Sequence, residues 1–132
     1  MSSRESGSTT VVMAAMCALI TVLSVAVAAV ATLYAARAQA ENAADAAALA
    51  AAVATYPPAW HEDPVAAARR LVTLNGASLV SCHCSVDFGL DPRTVTVTAS
   101  VSADVPLLGT LGVRGSSRAE FDPASWLGVG GG

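Results

Sequence analysis

Residues 11–36, VVMAAMCALITVLSVAVAAVATLYAA, run directly into residues 37–56, RAQAENAADAAALAAAVATY, and this pair of segments decides the fold. The first segment carries no charge. As an α-helix rising ~1.5 Å per residue it spans roughly 39 Å, more than the ~30 Å hydrocarbon core of a bilayer. It reads as a tilted transmembrane helix whose ends lie among the headgroups. Tyr34 falls where an interfacial aromatic belongs, and Arg37 follows as a stop. The second segment has high helix propensity and contains no Gly or Pro until Pro57-Pro58 ends it. One helix is therefore expected to leave the membrane and continue as an alanine-rich extension.

Within that extension Arg37, Glu41 and Asp45 are four residues apart on one face, and Arg37 is placed to pair with Glu41. Small residues also recur at every fourth position, from Ser24 to Ala52. Ala28, Ala36, Ala40, Ala44 and Ala48 belong to this ladder, which lets helices approach closely. Steps of four drift by about 40° each on a helix of ~3.6 residues per turn, so the ladder winds and marks no single seam.

The remaining composition fits this division. Of 132 residues 54% are hydrophobic and 13% charged, against about 25% charged in an ordinary soluble domain. The charge-free stretch explains much of the deficit, and beyond residue 36 about 95 residues remain, enough for one small domain. A multidomain enzyme and a coiled-coil rod are excluded by size and pattern. The net charge of -3 and pI near 5.1 have the wrong sign for a nucleic-acid binder.

Basic residues flank the apolar run evenly, Arg4 before it and Arg37 after it. The terminal amine tips the balance toward a cytoplasmic leader over residues 1–10 and an extracytoplasmic domain. A signal peptide is the rival reading, because Ala38-Gln39-Ala40 is an A-x-A pattern that signal peptidase cuts, here before Glu41. The apolar run is longer than the ~7–15 residues of a signal h-region, which favours a retained anchor.

Residues 57–123 read as a small α+β domain of one helix on a three-stranded antiparallel sheet. Asp63-Pro64 starts the helix as N-cap and first helical residue, and Asn75-Gly76 stops it. Arg69 and Arg70 lie on its outer face. In residues 94–105 the alternation is complete, with Val95, Val97, Ala99, Val101, Ala103 and Val105 on one face. Before it, Val80, Cys82, Cys84, Val86 and Phe88 form the apolar side of a partner strand, turned by Gly89-Leu90-Asp91-Pro92. A third strand is expected over residues 113–121, broken by Asp122-Pro123, and residues 124–132 are expected to be a flexible tail. Such a core is thin, and docking on the alanine-rich helix or on neighbouring subunits would complete it.

Catalytic signatures are absent from the sequence. Cys82 and Cys84 share one strand face while His83 points away, so the three side chains do not converge on a metal. A bridge between them is strained on an extended strand, where Cα atoms two apart are roughly 6.5–7 Å distant, so two core thiols are expected. His61, Glu62 and Asp63 read as a solvated loop with a helix cap. No P-loop, G-x-S-x-G, H-E-x-x-H, C-x-x-C or G-x-G-x-x-G occurs. The expectation is a protein without enzymatic activity, cofactor, metal or small-molecule substrate.

Four stretches in order carry a resemblance: Arg4-Glu5-Ser6-Gly7-Ser8-Thr9-Thr10-Val11; RAQAENAADAAALAAA over residues 37–52; AAARRLVTLNG over residues 66–76; and Leu79-Val80-Ser81-Cys82. Together they resemble the TadE-like minor pseudopilins of tight-adherence (Flp-type) pilus systems, in particular short actinobacterial members from secretion or DNA-translocation neighbourhoods. The resemblance implies cleavage after Gly7 by a prepilin peptidase, leaving Ser8 as the mature N-terminus. It implies pilin-like subunits, or pilus or secretion machinery, as partners alongside the lipid bilayer. Prepilins place a glutamate at the fifth mature position, and here that position is Val12. This departure fits a minor or accessory role better than bulk polymerisation. Two alternatives stay open: a secreted binding module released after Ala40, and a membrane-anchored interaction protein unrelated to pili that recruits a partner by strand addition.

Overall fold

Alanine is the strongest helix former, and neither Gly nor Pro interrupts residues 8–56, so the backbone has no local reason to leave the helix. In the computed structural model, which describes residues 5–59 and 61–129, α1 runs unbroken from Glu5–Ala54 over 50 residues. Arg4 of the expected leader, Trp60, and residues 130–132 of the expected tail lie outside the described residues. The helix closes two residues before the expected end. Thr55 donates its backbone N–H to Ala51 O at 3.0 Å and its hydroxyl to Ala52 O at 2.6 Å, and the chain turns at Tyr56.

The second helix, α2 (Pro64–Leu74), begins as the sequence indicates. The Asp63 carboxylate accepts from Ala66 N at 3.0 Å, which satisfies one of the first-turn donors that have no intrahelical partner. Asn75 caps the other end, and Gly76 takes a positive φ of 70° to turn the chain into the sheet.

Three antiparallel strands follow in the order β1 (Ser78–His83), β2 (Arg93–Val105) and β3 (Gly109–Phe121). The alternating segment forms the central strand, and all six of its inward residues are buried. Three boundaries differ from the sequence expectation, each for a physical reason. β1 ends at His83 instead of reaching Phe88, because residues 84–92 leave the sheet to close over the end of α1. Within β1 the register shifts between Leu79 and Ser81. This bulge places Leu79 opposite Ala99 and Cys82 opposite Val97, facing the core, and leaves Val80 outside. β3 starts four residues early, because Val105 pairs with Gly109 across a loop of only residues 106–108. Finally, the expected tail opens with one helical turn, α3 (Pro123–Trp126). Asp122 caps it, and Pro123 is buried.

The sheet is covered chiefly by α1, so docking on the alanine-rich helix supplies the burial that one short helix leaves missing. Ala43, Ala44, Ala47, Ala48, Ala51 and Ala52 pack with Val95, Val97, Ala99 and Ala119, while Ala68 and Val72 of α2 close the side near β1. A second cluster joins Ala36 and Ala40 to Val101, Ala103 and Val105. The core is thus built from methyl and isopropyl groups, which allows a helix and a sheet to approach closely. Its tightest point is Gly115, whose added Cβ would come within 2.5 Å of the Ala40 carbonyl carbon.

Candidate functional site

The two halves of α1 have opposite environments. From residue 36 onward its alanine face lies under the sheet. Residues 7–35 have no large buried side chain, and Val12, Met16, Ile20, Leu23, Val27 and Val30 are exposed on every side. Among the described residues this is the one helix long and apolar enough to cross a membrane, with a mean hydropathy of 2.6 in its most apolar window. The polar groups it carries are satisfied internally. Thr21, Ser24 and Thr32 each donate a hydroxyl hydrogen bond of 2.8 Å to the carbonyl four residues earlier. A helix with all its backbone bonds inside the segment, and its hydroxyls folded back onto it, suits a hydrocarbon environment. Tyr34 projects just before Arg37, whose Nε donates to Glu41 Oε1 at 2.8 Å. That exposed ion pair contributes a few tenths of a kcal/mol.

The residues singled out in the sequence fall at different places along this helix. Gly7 and Ser8 lie in its first turns, and a Cβ on Gly7 would meet nothing within 4 Å. Ala36, Ala40, Ala44 and Ala48 are buried against the sheet, whereas Ala28 is exposed. Val12, at the position where prepilins carry glutamate, is exposed in the apolar half.

Cys82 and Cys84 form a disulfide, which replaces the two separate thiols expected. The expectation assumed an extended strand through Cys84. Because β1 stops at His83, the two Cα atoms are 5.4 Å apart, inside the range a disulfide bridges. Both residues pack at the edge of the main core. Cys17 is a free cysteine exposed in the apolar half of α1.

The polar cluster after Trp60 has structural partners. Glu62 accepts from Arg70 Nε at 3.2 Å and Nη2 at 3.0 Å. That hydrogen bond, with the attraction of the carboxylate, raises the Arg70 pKa. Asp63 caps α2, and His61 lies exposed in the loop just before that cap. His83 is exposed at the end of β1.

Three positions that organise the domain were not visible from sequence. Arg93, at the start of β2, donates from Nη1 to Asp87 O at 2.7 Å and to Thr55 O at 3.4 Å, and from Nη2 to Gly89 O. It also lies 5.9 Å from the ring centre of Tyr56, tying the loop after β1 to the end of α1. Gly115 sets the contact of β3 with α1. Leu107 occupies the β2–β3 turn with φ of 68°, where glycine is the usual residue.

Comparison with known proteins places one part of the chain. Residues 7–54 match the family model described as "Putative Flp pilus-assembly TadE/G-like". The matched span is nearly the whole of α1, and over this helix the chain is similar to that family. No curated protein and no solved structure matches it.

Proposed function

We propose that this TadE-like chain is a non-enzymatic, single-pass accessory component of a Flp-type pilus or secretion apparatus. It is anchored in the cytoplasmic membrane by the bare half of α1, with the leader inside and the α+β domain outside. The observation that carries the reading is the division of one continuous helix into an apolar half that is largely exposed through residue 28 and an alanine half under the sheet. A rigid connection of this kind couples whatever happens to the anchor in the membrane to the position of the domain. The partners are pilin-like subunits or the machinery that assembles them, met through the anchor helix and the domain surface.

Processing after Gly7 by a prepilin peptidase belongs to this proposal, and Ser8 would then begin the mature helix. Val12 gives the mature chain no carboxylate to meet a neighbour's terminal ammonium, which favours an initiating or accessory place over repeated polymerisation. Release after Ala40 is the weaker reading. Ala40 is fully buried beneath β3, and a cut there would strip Ala36 and Ala40 from the cluster around Val101, Ala103 and Val105.

Mass spectrometry of the mature N-terminus in membrane and medium fractions tests the proposal. A chain starting at Ser8 in the membrane fraction is the expected result. Glu41 as the first residue in the medium overturns it in favour of a secreted module, and an unprocessed membrane chain removes the prepilin-peptidase step.

A further inference from the structure

The loop between β2 and β3 carries Leu107 and Leu108 into solvent, 92% and 65% exposed, followed by the partly exposed Leu111. No charge occurs from Val105 to Val113. The loop is a tight turn. Leu108 N donates to Val105 O at 3.1 Å, Pro106 holds the second position, and Leu107 holds the third at φ 68°. A turn with this pattern takes glycine or asparagine at its third position, because a Cβ there is strained. Leucine at that position is therefore unfavourable twice over in water, once for the backbone and once for the exposed side chain.

The location of the tip explains the choice. β2 starts beside the end of α1, where Arg93 reaches Thr55 O, and runs back along the helix toward its apolar half. Ala99 pairs with Gly115, which sits on Ala40. From Ala99 to Val105 the strand advances about 20 Å, equivalent to about 13 helical residues, which brings it level with the region just beyond Ala29. The cluster holding Val105 takes in Leu33 and Ala29 of α1. If the hydrocarbon core begins near Val11, its span of about 20 residues ends near Val30, with Tyr34 in the headgroup layer. The leucine tip thus lies at the same depth as the outer boundary of the bilayer.

We propose that the β2–β3 hairpin tip is a second membrane-contacting element, inserting Leu107 and Leu108 into the outer lipid interface beside α1. This rests on the reading of α1 as a membrane anchor. Lipid is the occupant because Val105, at the base of the tip, packs with Ala29 and Leu33 of the apolar half of α1, and the one charge at that base, Asp104, is held by the Thr110 hydroxyl. With two points of contact the domain is seated on the membrane and its tilt is fixed, where a single helix would leave it free to swing.

Site-directed fluorescence on the full chain in phosphatidylcholine–phosphatidylglycerol vesicles tests the proposal. In a Cys17→Ala background, kept non-reducing, an environment-sensitive probe is attached at Leu107→Cys. Val22→Cys in the anchor and Asp91→Cys at the far end of the domain serve as references. The expected result is a blue-shifted emission at position 107, quenched by shallow spin-labelled lipid. Position 22 should be quenched by deep label and position 91 by neither. Quenching at 22 with none at 107 overturns the hairpin insertion and leaves the anchor standing. Absence of quenching at both positions removes the anchor reading and the hairpin with it. Emission at 107 that is insensitive to lipid quenchers but shifts on dilution with unlabelled chain overturns the proposal in favour of a second copy as the occupant.

Discussion

Gly115 of β3 rests on the backbone of α1 at Ala40, with no side chain between them. A Cβ on Gly115 would stand 2.5 Å from the Ala40 carbonyl carbon and 2.8 Å from the Glu41 Cα. Backbone cannot rotate away as a flexible side chain would, so any substitution must lift the sheet from the helix. Gly115→Ala is expected to lower stability by about 1–3 kcal/mol, the usual cost of overpacking. Gly7→Ala, whose added methyl meets nothing within 4 Å, serves as the silent control. Thermal unfolding of the two variants in detergent checks this, and equal midpoints would show that the contact is not as close as described.

Arg93 is the second fixed point. Its guanidinium gathers the carbonyls of Thr55, Asp87 and Gly89, so one side chain holds the end of α1 and the loop after β1 together. Hydrogen bonds from a charged donor are worth about 1.5–3 kcal/mol each at best, and Arg93→Ala removes several at once while leaving carbonyls unpaired. The expected outcome is faster amide exchange and proteolysis confined to residues 84–92, with α2 unaffected. Arg93→Lys should rescue little, because one ammonium nitrogen cannot stand where both Nη1, on Thr55 O and Asp87 O, and Nη2, on Gly89 O, now stand. Protection of that loop in Arg93→Ala equal to the parent would refute the role.

Much of this architecture was legible from residue patterns. The apolar run, the absence of helix breakers through residue 56, the Asp63-Pro64 start and the strict alternation of residues 94–105 are local signals, and the corresponding elements formed. Three features were hidden because they depend on tertiary contact. The bulge at Val80 exchanges which residues of β1 face inward, and nothing in Leu79-Val80-Ser81-Cys82 announces it. β1 stops at His83 because Arg93 and Thr55 draw the following loop toward α1, although the alternation of apolar residues continues to Phe88. The winding alanine ladder left the buried face of α1 undetermined. The sheet selects it, since Ala36, Ala40, Ala43, Ala44, Ala47 and Ala48 lie under β2 and β3 while Ala28 does not. Of the candidate site, the apolar half of α1 was evident in the sequence. The leucine tip was not, because only the fold brings Val105, at the base of that tip, beside Ala29 and Leu33.

The C-terminal turn should respond to acid. Asp122 accepts from the Ser125 hydroxyl at 2.9 Å and from the backbone N–H of Ser125 and Ala124, and these bonds hold its pKa below the ordinary value of 3.8. A carboxyl with a depressed folded-state pKa stabilises the fold above its unfolded value and loses that contribution as pH falls through the folded one. The α3 cap is therefore intact at neutral pH and released only under strongly acidic conditions. Carboxyl chemical shifts followed by NMR should show Asp122 titrating below its ordinary value, and Ser125→Ala should move it upward.

The Cys82–Cys84 bridge closes a very short loop, so it constrains the unfolded chain little. In the chain-entropy description a ring of this size contributes about 1–2 kcal/mol, less than a long-range disulfide. Cys82→Ser/Cys84→Ser is expected to remain folded with a modest drop in melting temperature. The intact mass of the parent chain should rise by two hydrogens on reduction. No mass change would show free thiols in the native protein.

The two halves of the small-residue ladder should separate in their effects. Ala44→Leu places an isobutyl group between α1 and the sheet, where Ala44 is fully buried, and should destabilise the domain by about 1–3 kcal/mol. Ala28→Leu lies beyond the sheet, so the folded monomer gives it nothing to clash with, and leucine is itself a good helix former. Its melting temperature should match the parent's. Ala28 does, however, lie in a shallow groove with Ile20, Leu23, Ser24 and Val27, on the apolar half of α1. If subunits of a pilus assembly pack helix to helix there, the larger side chain should block co-purification with pilin-like partners while leaving the monomer fold untouched. Unfolding curves and pull-downs on the same two variants read these outcomes independently. A destabilised Ala28→Leu monomer would mean that Ala28 itself is packed within its own chain, as its neighbours Ala29 and Leu33 are in part.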